Sequence, residues 1–134
     1  MKYVLDASVA VAALRSTEPS HVAALRRCMP LFAGDDDIVV PALFDIEVVS
    51  ALTRRGIDAT RVAGFLTQHL SQRRLVTIGP RAIRGANRIV RSTRLRAADA
   101  LYVWVAAREE LPLVTLDQEI VARAGLAGVE VTLP

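Results

Sequence analysis

The sequence predicts a single-domain α/β fold, an α/β/α sandwich around a mainly parallel five-stranded sheet. Three observations predict it. Short runs rich in β-branched residues alternate with helical stretches of about 10–15 residues, the pattern of parallel strands joined by helical crossovers. The runs are apolar without alternation, as strands covered on both faces are. The length, 134 residues, is that of one domain, large enough to bury a sizeable core.

Taken in order, Tyr3-Val4-Leu5 is the first strand, and a helix follows from about Ser8 to Leu14. Glu18-Pro19 is a helix start signal, and that helix runs to about Leu31. Gly34 and the aspartates 35–37 make a loop before the second strand, Ile38-Val39-Val40. Pro41 is read as opening a helix that reaches Arg54 and stops at Gly56, and another helix covers roughly Thr60 to Gln72. Leu75–Ile78 is strand three, and Gly79-Pro80 turns into a helix ending near Arg91. A helix from about Ala97 to Glu110, strand four at Leu113–Thr115, a short helix over 118–124 and strand five at Val129–Val131 complete the chain. No repeat, linker or low-complexity tract divides 1–134, so one domain is expected.

Composition narrows the class. The hydrophobic fraction of 52% excludes a disordered tail. Cys28 is the one cysteine, which excludes both a disulfide framework and a thiolate zinc site and suits a reducing cytoplasm. Asp6 interrupts the apolar N-terminal stretch where a signal peptide needs continuity, and no uncharged run reaches the ~18–20 residues of a membrane span. A soluble, cytoplasmic chain without a membrane is expected. So apolar a small chain is also expected to cover part of its surface with a homodimer partner or another protein.

Sixteen of the seventeen basic residues are arginine, and eight lie between Arg73 and Arg96 with no acid among them. Guanidinium forks fit phosphate, so a polyanion is a candidate partner. Arg81, Arg84, Arg88 and Arg91 are spaced 3, 4 and 3, which confines them to about 80° of one helix face. Ala82, Ile83, Ala86, Ile89 and Val90 are assigned to the opposite face. The stripe reads either as a solvated surface or as a track for an RNA backbone.

Chemistry on an open parallel sheet collects beyond the carboxyl ends of its strands. Asp6 follows the first strand directly, and Asp117 lies just past the fourth. Each alone has a plain explanation as a helix cap, and Asp99 as an acid in a first helical turn, where the macrodipole favours it. Glu47 is harder to dismiss. Its helical neighbours Leu43, Phe44, Ser50 and Ala51 are apolar or small, so it looks into the protein, where a carboxylate needs a partner or a metal. Arg54 is the structural candidate for that partner. Asp45 stands about 200° away around the helix and cannot share the site.

Four acids without a histidine–cysteine cluster suit Mg²⁺ or Mn²⁺, which take oxygen ligands and keep waters. Such ions activate water and stabilise the leaving oxygen in phosphodiester hydrolysis. Ser8 and Thr115, each two residues from a strand-end aspartate, are candidates to hold the carboxylates or a bound water. His21 and His69 stand alone in helices. The aspartate run lacks the glycine of a calcium loop, and there is no glycine-rich phosphate loop or nucleophile elbow.

With Val4-Leu5-Asp6-Ala7-Ser8, Pro41 then Glu47, Asp99-Ala100-Leu101 and Leu113-Val114-Thr115-Leu116-Asp117 in this order, the chain resembles the PIN-domain family, close to the VapC-type toxins of type II toxin–antitoxin pairs. The resemblance runs from the first strand to the last. It implies a parallel-sheet sandwich with Asp6, Glu47, Asp99 and Asp117 gathered at one edge around Mg²⁺ or Mn²⁺. It further implies an endoribonuclease, homodimeric, inhibited by a VapB-type antitoxin. Ser50 departs from the asparagine the family often has one turn after the glutamate.

Two other classes fit less well. An aspartyl-nucleophile phosphatase needs a second aspartate where Ser8 stands, and a receiver domain needs a late lysine, whereas the one lysine is Lys2. A non-catalytic nucleic-acid-binding or regulatory PIN-like module, with arginines binding and acids capping helices, is the alternative.

Overall fold

The computed structural model describes residues 1–134 and places β1, Lys2–Leu5, at the centre of the molecule. Tyr3, Val4 and Leu5 are all fully buried, because β1 has a strand on either side and is covered on both faces. The chain leaves it through α1 (Ala7–Leu14) and α2 (His21–Phe32) and enters β2 (Asp37–Pro41). Next come α3 (Phe44–Arg54), α4 (Ala59–His69) and β3 (Arg74–Val76), then α5 (Pro80–Thr93) and α6 (Ala97–Glu109). The chain closes with β4 (Leu113–Val114), α7 (Gln118–Arg123), a 3-10 turn at Ala124–Ala127 and β5 (Val131–Thr132).

Every strand pair is parallel, and the order is β3-β2-β1-β4-β5. The sheet is therefore wholly parallel, where a mainly parallel one was expected. It is built outward from β1: first through β2 and β3 on one side, then through β4 and β5 on the other. The crevice between the carboxyl ends of β1 and β4 is the switch point, the place where such sheets bind ligands. Leu5 pairs with Val114 and the Asp6 amide donates to the Val114 carbonyl at 3.0 Å, so the backbone at Asp6 is fixed against the end of β4. One hydrophobic cluster of 37 buried residues fills both sides of the sheet.

Several boundaries move, each for a physical reason. Pro41 does not open the helix. It ends β2 in register with Val76, and the amide of Ala42 donates to the Val76 carbonyl, so α3 starts only at Phe44. The helix expected to reach Gln72 stops at His69, because the guanidinium of Arg73 turns back and donates to the carbonyls of Leu66 and Leu70 at 3.0 and 2.7 Å. The same guanidinium grips Asp45 at 2.8 and 2.5 Å, which holds α3 to the end of α4. Strand three is correspondingly Arg74–Val76, and strand five lies at Val131–Thr132.

On α5 the amphipathic division holds with one correction. Ala82, Ala86 and Ile89 are buried and Val90 is half-buried, but Ile83 is 52% exposed, because it lies on the flank of the helix. Gly85 sits in the middle of the buried face. A Cβ there would come within 1.8 Å of the Trp104 indole nitrogen on α6, so α5 and α6 pack at a distance that only glycine permits.

Candidate active site

Asp6, Ser8, Glu47, Asp99 and Asp117 line one cavity of about 410 Å³. Each arrives from a different element: the end of β1, the first turn of α1, the first turn of α3, the first turn of α6 and the loop after β4. The four acids expected from the sequence are thus brought to one place. As placed, no three of them close into a tight coordination cage; a small hard cation that keeps several waters needs only one or two carboxylates in direct contact.

Asp6 is 7% exposed and stands at the N-cap of α1, yet its side chain makes no capping hydrogen bond. Its Oδ2 instead accepts the hydroxyls of Ser8 and Thr115, each at 2.7 Å. Those hydroxyls in turn accept from backbone amides: Leu116 donates to Ser8 Oγ at 3.2 Å and Asp117 to Thr115 Oγ1 at 3.0 Å. Two hydroxyls, one from the first turn of α1 and one from the loop after β4, therefore aim the same carboxylate oxygen and tie the α1 start to the β4 end. Both candidate positioning residues do this, and capping is the wrong explanation for Asp6.

Capping is right for Asp117, in part. Its Oδ1 accepts the amides of Glu119 and Ile120 at 2.8 and 3.1 Å, closing the N-terminus of α7. That leaves Oδ2 without a partner in the protein.

Glu47 accepts the hydroxyl of Tyr102 at 2.6 Å. Tyr102, buried on α6, is the partner that sequence reasoning assigned to Arg54, which pairs with no carboxylate. The expectation that Asp45 faces elsewhere holds, since it is the partner of Arg73.

Burial pushes the carboxyl groups of Asp6, Glu47 and Asp99 up from the ordinary range, Asp99 to about 6. Like charge is the lesser cause throughout. For Asp99 the charges of Asp117 and Asp6 add to burial, while Arg96 opposes. Such a set favours a divalent cation, whose charge offsets both burial and repulsion. The donors are all oxygen, and Cys28 lies buried elsewhere, so the chemistry of the set fits Mg²⁺ or Mn²⁺.

Asp99 titrates at about 6 folded against 3.8 ordinarily. A raised carboxyl makes the folded state hold a proton that the unfolded chain releases, so stability from this group falls as pH rises through that interval. In EDTA, the melting temperature of the wild type relative to Asp99→Asn is expected to decline from pH 4 to pH 6 or so. A flat difference across that range would refute the shift.

Two functional candidates escaped the sequence. Arg55, at the end of α3, lines the cavity as its only cation. Its Nε pairs with Glu18 at 2.7 Å and its Nη1 donates to the Ala51 carbonyl at 2.9 Å. Glu18, from the loop before α2, also lines the cavity and is shared with Arg15 at 3.2 Å. No local signal marks either, because each acquires its place from the packing of α1, α2 and α3. His21 donates a ring N–H to the Ala12 carbonyl at 2.8 Å, a structural role. His69 rests on the Phe65 ring.

Arg81, Arg84, Arg88 and Arg91 are exposed on α5 and do not line the cavity.

Comparison with known proteins agrees with this geometry. The model of the PIN domain matches residues 3–126. No curated protein matches the chain in sequence. Among solved structures, the chain is similar to VapC20 from Mycobacterium tuberculosis, a Sarcin-Ricin loop cleaving toxin, at 19% identity and TM-score 0.71, covering 91% of this chain and 94% of that one. VapBC2 from Rickettsia felis, solved bound to a DNA fragment from their promoter, is similar over 100% of this chain and 99% of that one, at 14% identity and TM-score 0.70. PAE2754 from Pyrobaculum aerophilum shares 25% identity at TM-score 0.59, over 91% and 86% of the two chains.

Proposed function

Because the chain belongs to the PIN-domain family, we propose that residues 1–134 work as one PIN-like domain, a VapC-type toxin that hydrolyses RNA phosphodiester bonds as a Mg²⁺- or Mn²⁺-dependent endoribonuclease. The observation that carries this reading is the meeting of Asp6, Glu47, Asp99 and Asp117, from four separate elements, on one cavity at the sheet's switch point.

Asp6, Glu47, Asp99 and Asp117 would hold the cation between them, in part through the waters it keeps. Bound there, the ion supplies positive charge against the phosphate and activates water. The protein's own residues set the stage. Ser8 and Thr115 fix the orientation of Asp6, Tyr102 fixes Glu47, and the cap on α7 engages only Oδ1 of Asp117, which leaves Oδ2 free. Arg55 stands ready to take a phosphate oxygen in exchange for Glu18, a swap between two anions that costs little because the guanidinium stays paired.

A VapB-type antitoxin is the proposed protein partner, in keeping with solved neighbours that are toxin–antitoxin complexes. Val22, Met29 and Ile46 are 68%, 55% and 72% exposed, apolar surface that a homodimer or the antitoxin would cover. No helix is long and apolar enough to cross a membrane; the cytoplasm is the proposed location.

The purified protein is expected to cut labelled single-stranded RNA internally with Mg²⁺ or Mn²⁺ and to stop in EDTA. Cleavage that persists in EDTA, or RNA binding without cleavage under any divalent cation, overturns the nuclease reading. The latter outcome supports the regulatory module, a reading to which the capping role of Asp117 lends some weight.

A further inference from the structure

Four arginines on α5 form a row that the protein itself does not neutralise. Arg81, Arg84, Arg88 and Arg91 are exposed, and none of them pairs with a carboxylate, whereas eight of the other arginines do. No acid occurs between Arg73 and Arg96. At 1.5 Å per residue the row is about 15 Å long. Its helix is fixed in orientation, because Ala82, Gly85, Ala86 and Ile89 are buried on the opposite side and Gly85 is seated against Trp104. Four like charges held in a row on a rigid element repel one another, and a line of anions relieves that repulsion.

The row has a direction. Arg94 takes a left-handed conformation, φ 59°, and the three residues 94–96 reverse the chain into α6. The start of α5 shares a depression with Trp104 and Arg108, toward the far end of α6. The two helices therefore run antiparallel, and the C-terminal end of the arginine row lies beside the first turn of α6, which carries Asp99. Arg96 stands between them and its charge acts on Asp99.

We propose that Arg81, Arg84, Arg88 and Arg91, continued by Arg94 and Arg96, form a backbone track that holds one strand of RNA and leads it to the carboxylate cavity. The proposal rests on the nuclease reading for its destination, though not for its binding chemistry. The row is one residue wide, which suits one strand's phosphates. No aromatic residue lies on α5, so bases find nothing to stack on, and the track reads charge and not sequence. A longer RNA gains contacts there that a dinucleotide cannot reach.

Binding of a fluorescent 20-nucleotide oligouridylate in EDTA, by anisotropy across a salt series, tests the track without needing catalysis. R84Q/R88Q is expected to weaken binding and to lower the slope of log K against log salt by about 1.4, from about 0.7 per phosphate contact on a single strand. R26Q/R61Q removes equal charge from exposed, unpaired arginines on α2 and α4 and is expected to leave that slope unchanged. With Mg²⁺, R84Q/R88Q should raise KM for the 20-mer and leave dinucleotide cleavage alone. Equal slopes for the two double variants, or a wild-type slope in R84Q/R88Q with its fold intact by circular dichroism, overturns the track. So does preferential binding of duplex RNA, or of an acidic peptide, through the same arginines. Failure of the wild type to cut RNA leaves the binding comparison standing and bears only on the nuclease.

Discussion

Asp6→Asn is expected to reduce metal-dependent RNA cleavage by well over a hundredfold while the protein stays folded. The 10–100-fold typical of losing a group one layer behind a metal ligand sets the lower bound, and Asp6 is proposed as a ligand itself. An amide has nearly the shape of the carboxylate, and its oxygen still accepts from Ser8 and Thr115, now at 2.7 Å each. What it lacks is the charge that attracts and polarises a divalent cation. Since burial already penalises the Asp6 anion, the metal-free variant is expected to be as stable as the wild type or slightly more so. The rise in melting temperature on adding Mg²⁺, which measures binding to the folded state, is expected to disappear. Asp117→Asn should behave alike, because asparagine caps α7 about as well as aspartate. The assay therefore needs three readings on each variant: cleavage, circular dichroism, and melting with and without Mg²⁺. A folded Asp6→Asn that still cuts RNA and still gains stability from Mg²⁺ would sink the carboxylate site.

Gly85→Ala carries the largest stability effect, and its sign runs against helix propensity. Alanine is favoured over glycine inside a helix by about 1 kcal/mol. Here the new Cβ would lie 1.8 Å from the Trp104 ring nitrogen and 2.2 Å from the next ring atom. Trp104 is itself in the core, 9% exposed, so either its ring must leave its packed position or α5 must shift away from α6. Overpacking of this kind costs about 1–3 kcal/mol, occasionally more, and the net outcome is a lower melting temperature by several degrees. Gly64→Ala is the control. It also sits inside a helix, α4, but nothing lies within 4 Å of its Cβ, so only the propensity gain operates and the protein should become more stable. Trp104 is the only tryptophan, so its near-ultraviolet signal reports the displacement directly. Because α6 also carries Asp99 and Tyr102, Gly85→Ala should lower cleavage as well. Equal stabilisation by both substitutions would show that α5 and α6 are not held at glycine distance.

The sequence by itself determined the fold class and pointed to the four carboxylates that the fold brings to one cavity. Strand identity is a local matter: Tyr3-Val4-Leu5 and Ile38-Val39-Val40 are apolar on consecutive residues, and only burial on both faces accommodates that. An acid directly after such a strand, as Asp6 is, or a residue or two beyond it, as Asp117 is, is likewise visible in a few consecutive residues. Glu47 was legible from its helical neighbours alone. What surrounds those acids was not legible. Tyr102 and Glu47 are 55 residues apart, and Thr115 and Asp6 109 apart; hydrogen bonds over such separations exist only once the sheet order is set. Glu18 and Arg55 look like ordinary surface charges until α1, α2 and α3 pack around them. The same holds for the end of α4, where Arg73 caps carbonyls behind it, and for Ile83, whose exposure depends on how far α5 rolls when Gly85 seats on Trp104. Local pattern decides which residues face inward. Only tertiary packing decides what they meet there, because the partners come from chain segments whose approach no spacing along the sequence encodes.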